Sequence, residues 1–403
     1  VAVHRQQGRL NPDTAFAASV ALVYSASLAM LSVTLPLLAL ASHYSKPLIG
    51  LLTASSAITQ LIARLASAPA MRKVRDKNLV AAASLVLAAS GLLLVASHAV
   101  AVFVTSELVQ GVARGVFWTA TQSHMVRSRR SAVGRLATVN FISSFGLLSG
   151  PPLAGVLVGH SFDSSLGVAA LLGLIAAALA LGGMERLELF SADRSGARQK
   201  LFSLSGVQVG CAAGITAGAW RGLVNSYIPV VLVEAAESSA LVGVMVAVAN
   251  GSSIVGSGLM GALGGRRTRA AFVVSVLLSG AGVAMSGVLA HSPYLVAVAM
   301  AASGLGAGLL QTLGPAAAAM SVAPNRRGDA VALAGSFRAG ALFVSPIATA
   351  GLLDLESLPP ALAVVGAALA LPVLLAWRWV PLTQSDGSRP AERDAQTLKE
   401  QQL

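Results

Sequence analysis

Twelve apolar stretches, each long enough to cross a bilayer, divide this chain of 403 residues. They lie near 14–42, 47–71, 78–97, 99–126, 135–160, 165–184, 203–233, 239–264, 270–290, 293–322, 329–353 and 358–380. A span needs about 20 mostly apolar residues. In hydrocarbon, moreover, the backbone must satisfy its own hydrogen bonds, which a helix does within the segment. Only 11% of the residues are charged, against about 25% in soluble domains. The pattern predicts an all-α membrane protein. The first stretch follows Arg5 and Arg9 and contains Ala39-Leu40-Ala41, which resembles a signal cleavage site. Its length is about twice the usual signal core of 7–15 residues, so it reads as the first span.

The net charge of +12 reports topology rather than affinity for nucleic acid. Lys and Arg gather at Arg5/Arg9, Arg72–Lys77, Arg127–Arg135, Arg186–Lys200, Arg266–Arg269, Arg326/Arg327 and Arg378–Lys399. Those segments are the N-terminus, every even-numbered connection and the C-terminus. The odd-numbered connections carry Lys46 against Asp163, Glu234, Glu237, Asp354 and Glu356. By the positive-inside rule both termini and the central loop are cytoplasmic, as in a multi-pass protein of a bacterial inner membrane. The single cysteine, Cys211, excludes an intrachain disulfide or a cysteine metal site. The six histidines form no ligand-spaced pair, and no cofactor motif appears. His43, His98, His160 and His291 read as ordinary interfacial residues near helix ends.

The polar stretch Met184–Lys200 splits the chain into two halves of six spans that align in register. Leu35-Pro36 pairs with Ile228-Pro229, and Ile49-Gly50 with Val242-Gly243. Gly111 pairs with Gly306, and Gly150-Pro151 with Ser345-Pro346. Such parallel repeats place a substrate site at their interface. The expected organisation is an N-terminal segment 1–13, a six-helix bundle 14–184, a central loop 185–202, a second bundle 203–380 and a polar tail 381–403.

FGLLSGPPLAG in span 5 carries Gly146, Gly150, Pro151 and Gly155. Small residues let helices approach closely, and an interior proline removes a backbone hydrogen bond. With LVQGVARG (Leu108–Gly115), this stretch resembles the drug/proton antiporters of the major facilitator superfamily. The resemblance covers nearly the whole chain and implies two pseudo-symmetric six-helix bundles, alternating access and a monomer. Two features depart from the family pattern. The span 4 arginine stands at Arg114, with Glu107 where the family places it. Arg72 and Ala262 occupy the two loop positions where the family has aspartate.

Four arginines fall inside spans: Arg64, Arg114, Arg221 and Arg338. Glu107 is the one acid within the expected span cores. Glu107 and Arg114 are two helical turns apart, about 10.5 Å along the axis, and an arginine side chain pointing back toward the N-terminus narrows that gap. Gln110 and Trp118 share their face, Asn225 lies one turn beyond Arg221, and Gln311 falls in span 10. These residues form the expected substrate-binding set: Arg114, Arg221, Trp118, Gln110, Asn225, Arg338 and Gln311. Glu107 is the proton-coupling candidate. The opposing reading makes the arginines ties between helices, and places Arg64 where it can snorkel toward the cytoplasmic loop.

No phosphate loop, metal set or nucleophile–base pair is present, so the chain reads as a transporter and not an enzyme. The expected function is secondary export of a small organic compound, an anion favoured over a cation, with protons as candidate coupling ion. The alternatives are a multidrug exporter of lipophilic cations, an uptake permease and a membrane sensor that does not transport.

Overall fold

The computed structural model describes residues 12–127, 132–189, 201–235, 237–263, 268–323 and 326–378. Residues 1–11 of the expected N-terminal segment, most of the central loop and the polar tail lie outside these residues. The first bundle is built from α1 (Pro12–Ala41), α2 (Lys46–Met71), α3 (Asp76–Ala96), α4 (Val100–Arg127), α5 (Ala132–Val158) and α6 (Phe162–Gly183). The second contains α7 (Ser205–Val224), α8 (Tyr227–Glu234), α9 (Ser239–Leu263), α10 (Thr268–Val288), α11 (Pro293–Met320), α12 (Arg327–Leu352) and α13 (Leu358–Ala370). Ten of these helices are individually long and apolar enough to cross a membrane. The other two spans are composite.

Span 7 breaks at Asn225-Ser226 and resumes as α8. Pro229 explains the break, because it has no N–H to give the carbonyl of Asn225. Ser226 compensates by donating its hydroxyl to the carbonyl of Gly222 at 2.8 Å. Span 12 begins as α13 and tightens into a 3-10 turn from Leu371 to Arg378, where Pro372 has no N–H to continue the regular helical ladder.

The halves repeat each other in packing as well as in sequence. In the first bundle α1 packs on α5, α2 on α4, and α3 on α4 and α6. In the second α7 packs on α12, α9 on α11, and α10 on α11 and α13. The register of the repeat differs from the one expected at Gly111. Gly111 presses on the Ser56 carbonyl of α2, whereas Gly308, not Gly306, presses on the Ser253 carbonyl of α9. Gly306 faces Ser275 of α10 instead. Backbone contact, which a Cβ would forbid, defines the equivalence better than spacing does.

The two bundles meet mainly along α5 against α9 and α2 against α12, a pair of contacts related by the same repeat. At the end bearing residue 46 they are locked together. Lys46 Nζ lies 2.8 Å from Glu234 Oε1, Tyr227 donates its hydroxyl to the Lys46 carbonyl at 3.0 Å, and Ser239 donates to the Gly155 carbonyl at 2.9 Å. Tyr227 rests directly on Gly50, so that glycine admits no side chain.

Candidate functional site

Arg114 projects from α4 and is 8% exposed. Its guanidinium donates to Gln110 Oε1, one turn back on the same helix. Its Nε has no protein partner, and neither do Gln110 Nε2 and Glu107 Oε2. The direct Glu107–Arg114 contact suggested by spacing is therefore not made: among the described residues, no ion pair joins them. Gln110 lies between them in sequence and takes the guanidinium first. Glu107 feels Arg114 through space and has Ser56 of α2 beside it. Tyr24 of α1 stacks on Phe117 at 3.5 Å between ring centres. Its hydroxyl and that of Ser25 are also buried without a partner. Trp118 sets its edge against Phe117.

The second bundle treats its arginines alike. Arg221 donates to Asn250 Oδ1 at 2.5 Å, and its guanidinium sits 4.7 Å from the Trp220 ring centre. Trp220 is held in turn by a bond from its Nε1 to Ser303 Oγ at 3.1 Å. Arg338 donates to Gln311 Oε1 at 3.1 Å, and Gln311 Nε2 reaches Ser253 Oγ at 3.1 Å. Asn225 caps the broken end of α7 through its backbone. The structure gives its side chain no bond to Arg221, because Asn250 has that place.

These charges form one group. Arg221 lies within electrostatic reach of both Arg338 and Arg114. Arg338 lies within reach of Arg64. Arg64 is half-buried on α2, and its Nε has no hydrogen-bond partner among the described residues. Among the described residues none of the four arginines has a carboxylate at ion-pair distance. A neutral amide orients a guanidinium without cancelling its charge, and a buried charge needs compensation.

Span 5 acts as read from sequence in one respect: its glycines carry close contacts. A Cβ at Gly150 would stand 2.6 Å from the Ala26 carbonyl of α1, and Gly146 meets α1 one turn earlier. Gly155 instead meets Ser239 of the other bundle.

A second charged cluster escaped the sequence reading. Asp13, expected in the N-terminal segment, lies inside α1 and is 6% exposed. Its carboxylate meets His124 Nε2 at 3.0 Å and Arg135 Nη2 at 2.5 Å. It also accepts the Glu185 backbone N–H at 2.8 Å. Arg135 Nε donates to Thr14 Oγ1 at 2.8 Å. The cluster ties α1, α4, α5 and the exit of α6 together at one end. In the sequence Arg135 looks like one more loop cation. The available signal was an Asp-Thr pair opening a long apolar helix.

The described residues form two repeated helical bundles with Arg64, Arg114, Arg221 and Arg338 within electrostatic reach across them, the architecture of a membrane transporter. The sequence matches the Major Facilitator Superfamily over residues 17–208 and again over 209–402, and the chain belongs to that family. No relative was found among functionally curated proteins. Among solved structures the fold is similar to the nucleoside transporter NupG in its D323A form, with TM-score 0.75, 13% identity and 91% and 98% of the two chains covered. It is also similar to a POT family transporter in complex with 5-aminolevulinic acid (TM-score 0.72, 12% identity, 92% and 96% covered). A bacterial homologue of the lysosomal transporter Spinster, inward-facing and unoccupied, gives TM-score 0.68 at 11% identity with 92% and 96% covered. At these identities the likeness is one of fold.

Proposed function

We propose that this protein is a secondary exporter of a small organic anion, working by alternating access between its two bundles. One observation carries the reading: Arg114, Arg221 and Arg338 are oriented by Gln110, Asn250 and Gln311, with no carboxylate among the described residues at ion-pair distance. With Arg64, the group holds four positive charges and, among the described residues within the span cores, one negative charge, Glu107 beside Arg114, a formal excess of +3 (4 − 1 = 3). A carboxylate, phosphate or phenolate supplies the missing charge, and arginine binds such groups through paired hydrogen bonds. A lipophilic cation would meet repulsion from the same group. Export is favoured by the Gly146–Gly155 segment and its likeness to antiporters. The reading takes both termini as cytoplasmic, supported by the basic segments, so that the Lys46–Glu234 end, where the bundles are joined, faces outward. A substrate then enters from the cytoplasm.

Glu107 is the proton-coupling residue in this reading. An anion on Arg114 withdraws the positive charge that stabilises the carboxylate, which then takes a proton. Glu107→Gln is expected to leave anion binding intact and make transport independent of pH in proteoliposomes. A pH profile identical to that of the wild type would remove Glu107 from the mechanism.

The reading itself is tested by thermal shift on the purified protein, using benzoate, succinate, phenyl phosphate, tetraphenylphosphonium and uridine. A ligand that binds only the folded form raises its apparent stability. Stabilisation by the anions, lost in Arg114→Ala, supports the proposal. Stabilisation by tetraphenylphosphonium or uridine alone, indifferent to Arg114, overturns it.

A further inference from the structure

We propose that Asn250 couples occupancy of Arg221 to the closure of the two bundles, through a carbonyl that Pro151 leaves free. The proposal rests on the assignment of Arg221 to the substrate site.

In a regular helix the carbonyl of Leu147 accepts the N–H of residue 151. Residue 151 is proline and has no N–H. A buried carbonyl without a partner is costly, so native structures supply one. Here the donor comes from the opposite bundle: Asn250 Nδ2 on α9 donates to Leu147 O on α5 at 3.1 Å. The same amide accepts from Arg221 through Oδ1 at 2.5 Å. Asn250 itself is 3% exposed, and both bonds are partly buried.

The two bonds are not independent. A guanidinium donating to Oδ1 draws electron density toward the oxygen and leaves the amide hydrogens more positive. That strengthens the bond from Nδ2 to Leu147. An anion that draws Arg221 away from Oδ1 removes this polarisation. The interbundle bond weakens at the moment the site fills. It belongs to the α5–α9 contact, which includes the Gly155–Ser239 bond at the closed end. Bundles that part at this end must break it. Substrate captured from the cytoplasmic side thereby lowers the resistance to opening on the other side, the order of events an exporter requires. Asn250 is a positioning residue here. It acts on the substrate only through Arg221.

The test needs no identified substrate. Spin labels are placed at Ala99→Cys and Leu355→Cys, exposed positions at the closed end of the two bundles, in a Cys211→Ser background of the full chain in nanodiscs. Asn250→Ala and Arg221→Gln are each expected to raise the population of the longer label distance about threefold or more. The double variant is expected to match the singles rather than add to them, as groups acting through one bond do. Pro151→Ala returns an N–H to Leu147 within α5, so adding Asn250→Ala to it is expected to change nothing. Arg221→Lys, which keeps a charged donor, is expected to restore the short distance. Should Asn250→Ala fail to yield monodisperse protein, the comparison of Arg221→Gln with Arg221→Lys decides the matter alone. A wild-type distribution in Arg221→Gln, or full additivity in the double variant, overturns the proposal. If the uncoupling appears while no anion stabilises the wild type, the Asn250 link stands and the anionic substrate falls.

Discussion

Two clusters of buried charge in this protein are built on opposite plans. At one end of the first bundle, Asp13 is met by His124, Arg135 and a backbone N–H. Among the described residues, Arg114, Arg221 and Arg338 are met instead by the neutral amides of Gln110, Asn250 and Gln311, with the Trp220 ring beside Arg221. Burial is similar for Asp13, at 6%, and Arg114, at 8%, so depth does not separate the two plans. What separates them is whether the protein supplies the countercharge. Where it does, charge ties helices together. Where it supplies only orientation, the positive charge stays uncompensated among the described residues, and that excess is what the proposed anion would neutralise.

The sharpest way to break this contrast is to remove Asp13. Asp13→Asn leaves Arg135 buried beside a neutral group, and loss of one partner of a buried pair costs about 3–5 kcal/mol. A large fall in the thermal midpoint is expected, with unchanged affinity for anions in the protein that remains folded. The reverse is expected at the other cluster. Arg114→Gln should cost less stability than Asp13→Asn, since the guanidinium it removes has only Gln110 as hydrogen-bond partner among the described residues and Glu107 can take a proton in its absence. It should nonetheless lower the affinity for benzoate or phenyl phosphate about 10–150-fold. That range follows from about 1.5–3 kcal/mol for charged hydrogen bonds. Isothermal titration and thermal melts on the same samples measure both. If Arg114→Gln melts as early as Asp13→Asn, the two clusters share a structural role and the contrast fails.

Two smaller effects probe the scaffold around the comparison. Gly150→Val drives a branched side chain against the Ala26 carbonyl of α1. Overpacking of this kind costs about 1–3 kcal/mol, seen as a lowered melting point with anion selectivity kept. Lys46→Gln removes a partly exposed ion pair. Solvent screens such pairs to about 0–1 kcal/mol, so stability should barely move. The same change should favour separation of the labels at positions 99 and 355, modestly compared with Asn250→Ala.

Most of the architecture is legible along the chain because a bilayer enforces local rules. Each span must satisfy its own backbone, so Leu166 to Gly182 can be read as a helix without knowing its neighbours. Repeated Gly and Pro positions likewise announce two halves. The arginines are legible as anomalies, since charge inside an apolar run requires an explanation. Their partners are not. Gln110 is found because it shares a helix with Arg114, and spacing alone predicts such neighbours. Asn250, in contrast, sits 29 positions from Arg221, in a stretch that resembles any other small-residue helix. Asp13 looks like the end of a tail because one charge at a span boundary is ordinary.

The sequence by itself therefore determined the spans, the duplication and the presence of positive charge inside them. These follow from hydrophobicity, helical periodicity and the placement of Lys and Arg, all properties of short segments. Only the tertiary structure decided which charges are neutralised and which are merely held. It also decided which donor takes the carbonyl that Pro151 sets free. Those outcomes depend on side chains from different helices meeting at hydrogen-bond distance, and such meetings are fixed by how whole helices pack.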